Sequence, residues 1–170
     1  MRRIGLLSDT HGYLDAAIFK YFGECDEIWH AGDLGSIEIA DRLAEFRPLR
    51  AVFGNIDGAE IRSAHPRDQR FNCDGLDVWI THIGGYPGAY DHKVRDRIFR
   101  KPPGLFISGH SHILKVMRDK SLGLMHFNPG ACGRVGFHNV RTILRFSIDA
   151  GKLSGVEAIE LGPRSARSSS

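Results

Sequence analysis

The chain has 170 residues, 42% of them hydrophobic and 25% charged, with a formal net charge of +3 at neutral pH. That length and balance suit one globular domain with a sizeable core, expected to be soluble. The charge is too small to argue for a nucleic-acid partner, and no apolar run approaches the roughly 18 residues of a membrane-spanning helix.

Three widely spaced cysteines, Cys25, Cys73 and Cys132, suggest neither a disulfide framework nor a zinc knuckle. A reducing cytoplasm is the expected compartment. The nine histidines are the one compositional anomaly.

Arg3 to Ser8 is an apolar run that stops at Asp9-Thr10-His11-Gly12. It is too short for a signal sequence, and Asp9 interrupts it, so it reads as a strand. Leu14 to Phe22 follows with helical spacing, Leu14, Ala17, Ile18, Tyr21 and Phe22 sharing one face. Asp9 and His11 sit where open α/β sheets place their sites, at the C-terminal end of a strand. Asp9 or Thr10 also reads as an ordinary turn residue or helix cap.

The next short strand, Glu27 to Ala31, ends at Gly32-Asp33. Ser36 then caps a helix with Ile37, Ala40, Leu43, Ala44 and Phe46 on its apolar face. His30 lies on the strand itself and reads as a core histidine, or as one that supports a ligand. The third strand, Leu49 to Phe53, ends at Gly54-Asn55-Ile56-Asp57-Gly58. Gly-Asn and Asp-Gly are turn dipeptides, but Asn55 also offers a hard neutral oxygen at a third strand end. Three such placements in succession are hard to assign to caps.

Gln69 to Cys73 and Leu76 to Thr81 read as a hairpin across Asp74-Gly75. The second strand runs into His82 and a Gly-rich loop, Ile83 to Gly88. Asp91 opens a helix through about Phe99, closed by Lys101-Pro102-Pro103-Gly104. A buried strand, Gly104 to Ile107, then breaks at Gly109-His110-Ser111-His112. Residues i and i+2 of an extended backbone project to one side, so His110 and His112 can serve one compact site, and imidazole suits divalent transition metals. Two hairpins follow: Ile113 to Arg118 with Leu122 to Phe127, and Arg141 to Ile148 with Leu153 to Ile159. Residues 1–161 are expected to form a single domain, and 162–170 a flexible polar tail.

The ordered set Asp9-x-His11, Gly32-Asp33, Gly54-Asn55, His82 and Gly109-His110-Ser111-His112 resembles the five-block signature of calcineurin-like metallophosphoesterases. Asn128-Pro129-Gly130 matches an element of their small prokaryotic phosphodiesterase branch. The resemblance implies a four-layer α/β/β/α sandwich of two mixed β-sheets flanked by helices. It implies two divalent metal ions, manganese first, with iron, nickel, zinc or cobalt also compatible. One ion falls to Asp9, His11, Asp33 and His112. The other falls to Asp33, Asn55, His82 and His110, with Asp33 bridging. Asp33 and Asn55 are the residues expected to be catalytic, in phosphoester hydrolysis by metal-bridged hydroxide without a covalent phosphoenzyme.

Two positions depart from the pattern. Many relatives carry Gly-Asn-His in the third block, where the histidine protonates the leaving oxygen; here the residue is Ile56, and Asp57 after it is expected to orient the loop or a ligand. General acid help is typically worth about 10²–10⁴-fold, so its absence favours a phosphodiesterase acting on small organic diesters over a fast monoesterase. Some relatives also carry His-Gly-His in the fourth block; here position 84 is glycine. The loop after it offers Tyr86 and Tyr90 to a base or aryl group, or simply to solvent. The alternatives are a metal-dependent phosphomonoesterase or nuclease, and a non-catalytic protein-interaction scaffold of the same fold, like a retromer subunit. The expected partner is a small phosphodiester, with neither membrane nor specific nucleic acid and with a homodimer or homotetramer possible in this family.

Overall fold

Neighbouring apolar residues along each strand part to opposite faces, and this sorts the core into three layers. Leu6, Trp29, Ile80, Ile107 and Leu144 join one cluster; Leu7, Ile28 and Ile143 join a second; Trp79 and Phe106 join a third. Three apolar layers require four layers of secondary structure.

The structure, a computed structural model, describes residues 1–165. It begins with β1 (Arg2–Leu7), α1 (Ala17–Tyr21), β2 (Glu27–His30), α2 (Ile37–Phe46) and β3 (Leu49–Ala51). Then come α3 (Ala59–Ala64), β4 (Asp68–Cys73), β5 (Leu76–Thr81), and a ribbon of β6 (Gly85–Tyr86) and β7 (Ala89–Tyr90). α4 (Arg95–Arg100), β8 (Leu105–Ile107), β9 (Leu114–Asp119), β10 (Leu124–Pro129), β11 (Val140–Asp149) and β12 (Lys152–Pro163) complete it.

One five-stranded sheet has the order β12-β11-β1-β2-β3, the other β4-β5-β8-β10-β9. Both are mixed. β1, β2 and β3 run parallel with antiparallel β11 beside β1, and β5, β8 and β10 run parallel between antiparallel β4 and β9. The first apolar cluster lies between the sheets, the second under α1, α2 and α3, and the third under α4. This is the expected α/β/β/α sandwich. The hairpin across Asp74-Gly75 is present, and Ser36 caps α2 by accepting the Glu38 N–H.

Several elements differ from expectation. α1 starts at Ala17 rather than Leu14, because the Asp15 carboxylate accepts the Ala17 N–H and starts the helix there. Asp91 makes the same kind of contact with the Lys93 N–H, and α4 begins only at Arg95. On α2, Ile39 is buried and Ala44 is exposed. α3 and the β6–β7 ribbon are each too short to show a period. β12 extends through Gly162 and Pro163, two positions read as tail. The Arg141 guanidinium holds that end by donating to the Leu161 and Pro163 carbonyls. Residues 166–170 lie outside the described residues.

The C-terminal ends of β1, β2, β3, β5 and β8 deliver Asp9, Asp33, Asn55, His82 and His110 to one edge of the sandwich.

Candidate metal centre

All seven residues singled out in the sequence meet at that edge. Asp9, Asp33 and His82 are buried and form the floor; His11 and His112 are partly covered; Asn55 and His110 form the exposed rim. They fall into two groups whose ligand atoms converge: Asp9, His11 and His112, and Asp33, His82 and His110.

Each carboxylate has one oxygen engaged and one free. Asp9 Oδ2 accepts the Ser8 hydroxyl at 2.6 Å and the His110 N–H at 3.2 Å. Its Oδ1 faces three imidazole nitrogens: His112 Nε2 at 3.1 Å, His11 Nε2 at 3.6 Å and His82 Nε2 at 3.9 Å. Asp33 Oδ1 accepts the Ile56 N–H at 3.1 Å. Asp33 Oδ2 lies 3.4 Å from His11 Nε2 and 3.1 Å from His82 Nε2, one from each group. Asn55 Oδ1 lies 3.0 Å from both His82 Nε2 and His110 Nδ1.

Hydrogen bonds on the far side of the rings set the tautomers. His82 Nδ1 lies 2.7 Å from the Ala31 carbonyl, which can only accept, so Nδ1 carries the proton. In the neutral ring, Nε2 then presents a lone pair to Asp33 and Asn55. A relay sets His112 in the same way. His138 Nε2–H donates to the Gly133 carbonyl at 2.9 Å, which leaves His138 Nδ1 bare to accept the His112 Nδ1–H at 3.2 Å. His112 Nε2 is then a lone pair aimed at Asp9 Oδ1.

Lone pairs from imidazole, carboxylate and amide therefore converge, and His11 Nε2 is buried there with no hydrogen-bond partner. Acceptors packed against acceptors at these distances repel unless a cation or a proton lies between them. This mixed nitrogen and oxygen set fits a divalent transition metal.

The protonation equilibria show the same field. Burial pushes the Asp9 carboxyl up, but contacts from His11, His112 and His82 outweigh it and hold that carboxyl far below the usual range. The Asp9 carboxylate raises the His11 pKa. Burial opposes charge on His82, yet Asp33 and Asp9 raise it overall. His110, on the rim, is lowered by desolvation and then by the nearby His82 imidazole.

The backbone is strained where the site is built. Among the described residues, the non-glycine positions with left-handed φ are Asp9 (56°), His11 (46°), Asp33 (58°), Asp74, His110 (68°), His112 (62°) and Ala150. Five of those seven are candidate ligands. Such conformations cost roughly 1–3 kcal/mol each and gather at functional sites. Glycines let the loops approach one another: a Cβ at Gly54 would fall on the Asp33 carboxylate, and one at Gly109 on Ser8 Oγ and Asp9 Oδ2.

Residues 1–151 match the model of the calcineurin-like phosphoesterase superfamily domain. The chain belongs to that family. The "Probable metallophosphoesterase" of Methanothermobacter thermautotrophicus is 31% identical over 138 residues, which cover 75% of this chain and 76% of the relative. An archaeal phosphodiesterase structure superposes with a TM-score of 0.74 at 21% identity, covering 94% of this chain and 99% of that one. Vps29 of Chaetomium thermophilum superposes with a TM-score of 0.73 at 15% identity, covering 96% and 100%. At those identities the two structures speak for the calcineurin-like fold alone.

Two supporting residues were not legible as such. His138 was a histidine without a motif, visible only through the high histidine count. Asp57 was legible as a residue that orients its own loop, but not as one that reaches a second. Its buried carboxylate accepts the backbone N–H groups of Leu34, Gly35 and Gly54, tying the Asp33 loop to the Asn55 loop. Asn128 donates to the Gly109 carbonyl and to Ser111 Oγ, bracing the His110 loop. His30 is buried among supporting contacts, donating from Nε2 to Thr10 Oγ1 and accepting the Gly32 N–H at Nδ1; burial lowers its pKa to about 4. The Ile56 side chain is exposed, and only its N–H serves the site. Tyr90 offers no stacking face: it is buried and donates its hydroxyl to Asp119, whereas Tyr86 is exposed beside His110. No helix among the described residues is long and apolar enough to cross a membrane.

Proposed function

We propose that the chain is a dinuclear metal-dependent phosphodiesterase that hydrolyses small organic phosphodiesters. The observation that carries this reading is Asp33 Oδ2, one free carboxylate oxygen in reach of an imidazole from each group. Asp9, His11 and His112 would hold one cation, Asn55, His82 and His110 the other, and Asp33 both. Two divalent cations there, manganese first, would supply Lewis acidity to the phosphoryl group and a lowered pKa to bound water.

The chain's own residues orient and hold. His138 and the Ala31 carbonyl fix the ring tautomers, Ser8 and the Ile56 N–H turn each carboxylate, and Asn55 presents a neutral oxygen at the rim. The chain offers no imidazole at position 56 to protonate a leaving oxygen, which supports a diester over a monoester. Three free, buried cysteines fit a reducing cytoplasm.

The scaffold reading is favoured by the shared fold with Vps29. It predicts a degenerate ligand set, and here all seven residues are present and converge. The test is a paired assay of an aryl phosphodiester and its matching monoester on metal-stripped protein, with and without Mn²⁺. The expected result is metal-dependent turnover favouring the diester, abolished by Asp33→Asn with the fold retained. Preference for the monoester, or full activity in Asp33→Asn, would overturn the reading. A folded protein without turnover of either ester in any divalent metal would support the scaffold.

A further inference from the structure

A cleft opens beside the centre on the side of Asn55 and His82, between the loop after β3 and the start of α4. Its cavity is about 250 Å³. That is below the roughly 300–1,000 Å³ of drug-sized ligand sites, so it suits one small part of a substrate. Its walls carry Arg62, Arg67, Lys93 and Arg97. Only Arg97 has an acidic partner, Asp68 at 3.7 Å; among the described residues Arg62, Arg67 and Lys93 pair with no carboxylate.

Like charges in one cleft repel, and among these four the chain offsets only Arg97 with an acid of its own. It holds the guanidinium groups in place instead. The Arg62 guanidinium stacks over the Phe53 ring at 4.5 Å and donates to the carbonyls of Asp57, Gly54 and Asn55. Arg67 lies farther from the same ring, at 6.0 Å, and Arg97 stacks over Trp79 at 4.7 Å. Guanidinium groups held on aromatic faces present a preorganised donor fork to an oxyanion. Asn55 and His82 belong both to this cleft and to the metal centre, so a group bound here is continuous with one bound there.

We propose that this cleft is a second anion subsite, which takes a phosphate carried by the substrate in addition to the phosphodiester that is cleaved. The proposal rests on the phosphodiesterase reading for the bond that breaks, and it narrows the substrate class to diesters with a further phosphoryl group. Compact size, several cations and hydrogen-bond donors select phosphate over a base or an aliphatic chain.

The test compares thymidine 5′-(p-nitrophenyl phosphate) with the same compound phosphorylated at the 3′ position; nitrophenol release reads only the diester step. The parent protein is expected to favour the phosphorylated compound at least tenfold in kcat/KM, through KM. Each of Lys93→Gln and Arg67→Gln should lower that ratio roughly two- to fivefold, as expected for losing one contact to a solvent-exposed cation. Arg62 is left intact because it also braces the Asn55 loop. Calorimetric binding of the two compounds to the metal-loaded protein gives a second readout. If neither compound is cleaved but the 3′-phosphate tightens binding in a Lys93- and Arg67-dependent way, the diesterase reading fails and the subsite stands. A ratio near one in the parent, or a ratio indifferent to both variants, overturns the subsite. Inorganic phosphate distinguishes a free-phosphate site: binding it as tightly as the phosphorylated compound, with no gain in the ratio, overturns the substrate assignment.

Discussion

Replacing His138 by alanine removes one acceptor and touches no candidate ligand. His138 Nδ1 takes the His112 Nδ1–H at 3.2 Å, and its own proton sits on Nε2, held 2.9 Å from the Gly133 carbonyl. Without that acceptor, His112 can carry its proton on Nε2, where Asp9 Oδ1 waits at 3.1 Å. A proton there occupies the lone pair that a cation needs. Binding must then displace the tautomer preference and one hydrogen bond to a charged group, together about 1.5–3 kcal/mol. Loss of a partner behind a metal-bound histidine typically lowers affinity about 10–100-fold, which matches. The assay is a Mn²⁺ titration followed by electron paramagnetic resonance and calorimetry. One of the two binding events should weaken by about that factor while the other, at Asp33, His82 and His110, moves less. His138→Gln, whose amide oxygen can accept, should recover part of the loss. Parent-like affinity at both sites in His138→Ala would refute the relay.

Gly54→Ala puts a methyl group where the Asp33 carboxylate lies, so metal binding should be lost with the thermal midpoint lowered; a parent-like Mn²⁺ isotherm would contradict this. Asp57→Ala strands the N–H groups of Leu34, Gly35 and Gly54, and chemical denaturation should show a loss of about 3 kcal/mol or more. His126 lies outside the centre, donating from Nδ1 to the Phe106 carbonyl, and burial lowers its pKa to about 4. The unfolded chain binds that proton near pH 6.5, so His126 leaves stability intact above pH 6.5 and subtracts from it as pH falls toward 4, by about 3 kcal/mol at full protonation of the unfolded state. Urea titrations across that range should show the slope, and His126→Leu should reduce it, leaving the share that buried His30 contributes over the same range; an unchanged slope would show that His126 carries none of it.

The candidate site was legible because strand ends are legible. Each apolar run stops at a glycine or a polar residue, and the side chain at that stop faces the edge where parallel strands finish. Asp9, Asp33, Asn55, His82 and His110 all follow that rule, so five positions could be read without knowing which strands pair. The hairpin at Asp74-Gly75 was equally plain, since its turn chemistry is local. His138 was not legible, because its role depends on a loop between β10 and β11 folding back onto His112, and no local pattern encodes that approach. Asp57 was readable as orienting its own loop, but its three N–H partners come from two loops separated in sequence. The same holds for the cleft cations: Arg62, Arg67, Lys93 and Arg97 are scattered through α3, the start of β4 and the region of α4, and only the packing of two sheets makes them neighbours. The departures in α1 and α4 have a local cause that periodicity ignores, an aspartate that hydrogen-bonds its own backbone two residues on.

The central claim is that two cations share Asp33. The most direct measurement is Mn²⁺ loading of the metal-stripped protein, with stoichiometry and spin coupling read by electron paramagnetic resonance. Two ions per chain with an exchange-coupled signal, reduced to uncoupled or single-ion binding in Asp33→Asn, is the predicted result. One isolated ion per folded parent chain, or two that remain uncoupled, would contradict it.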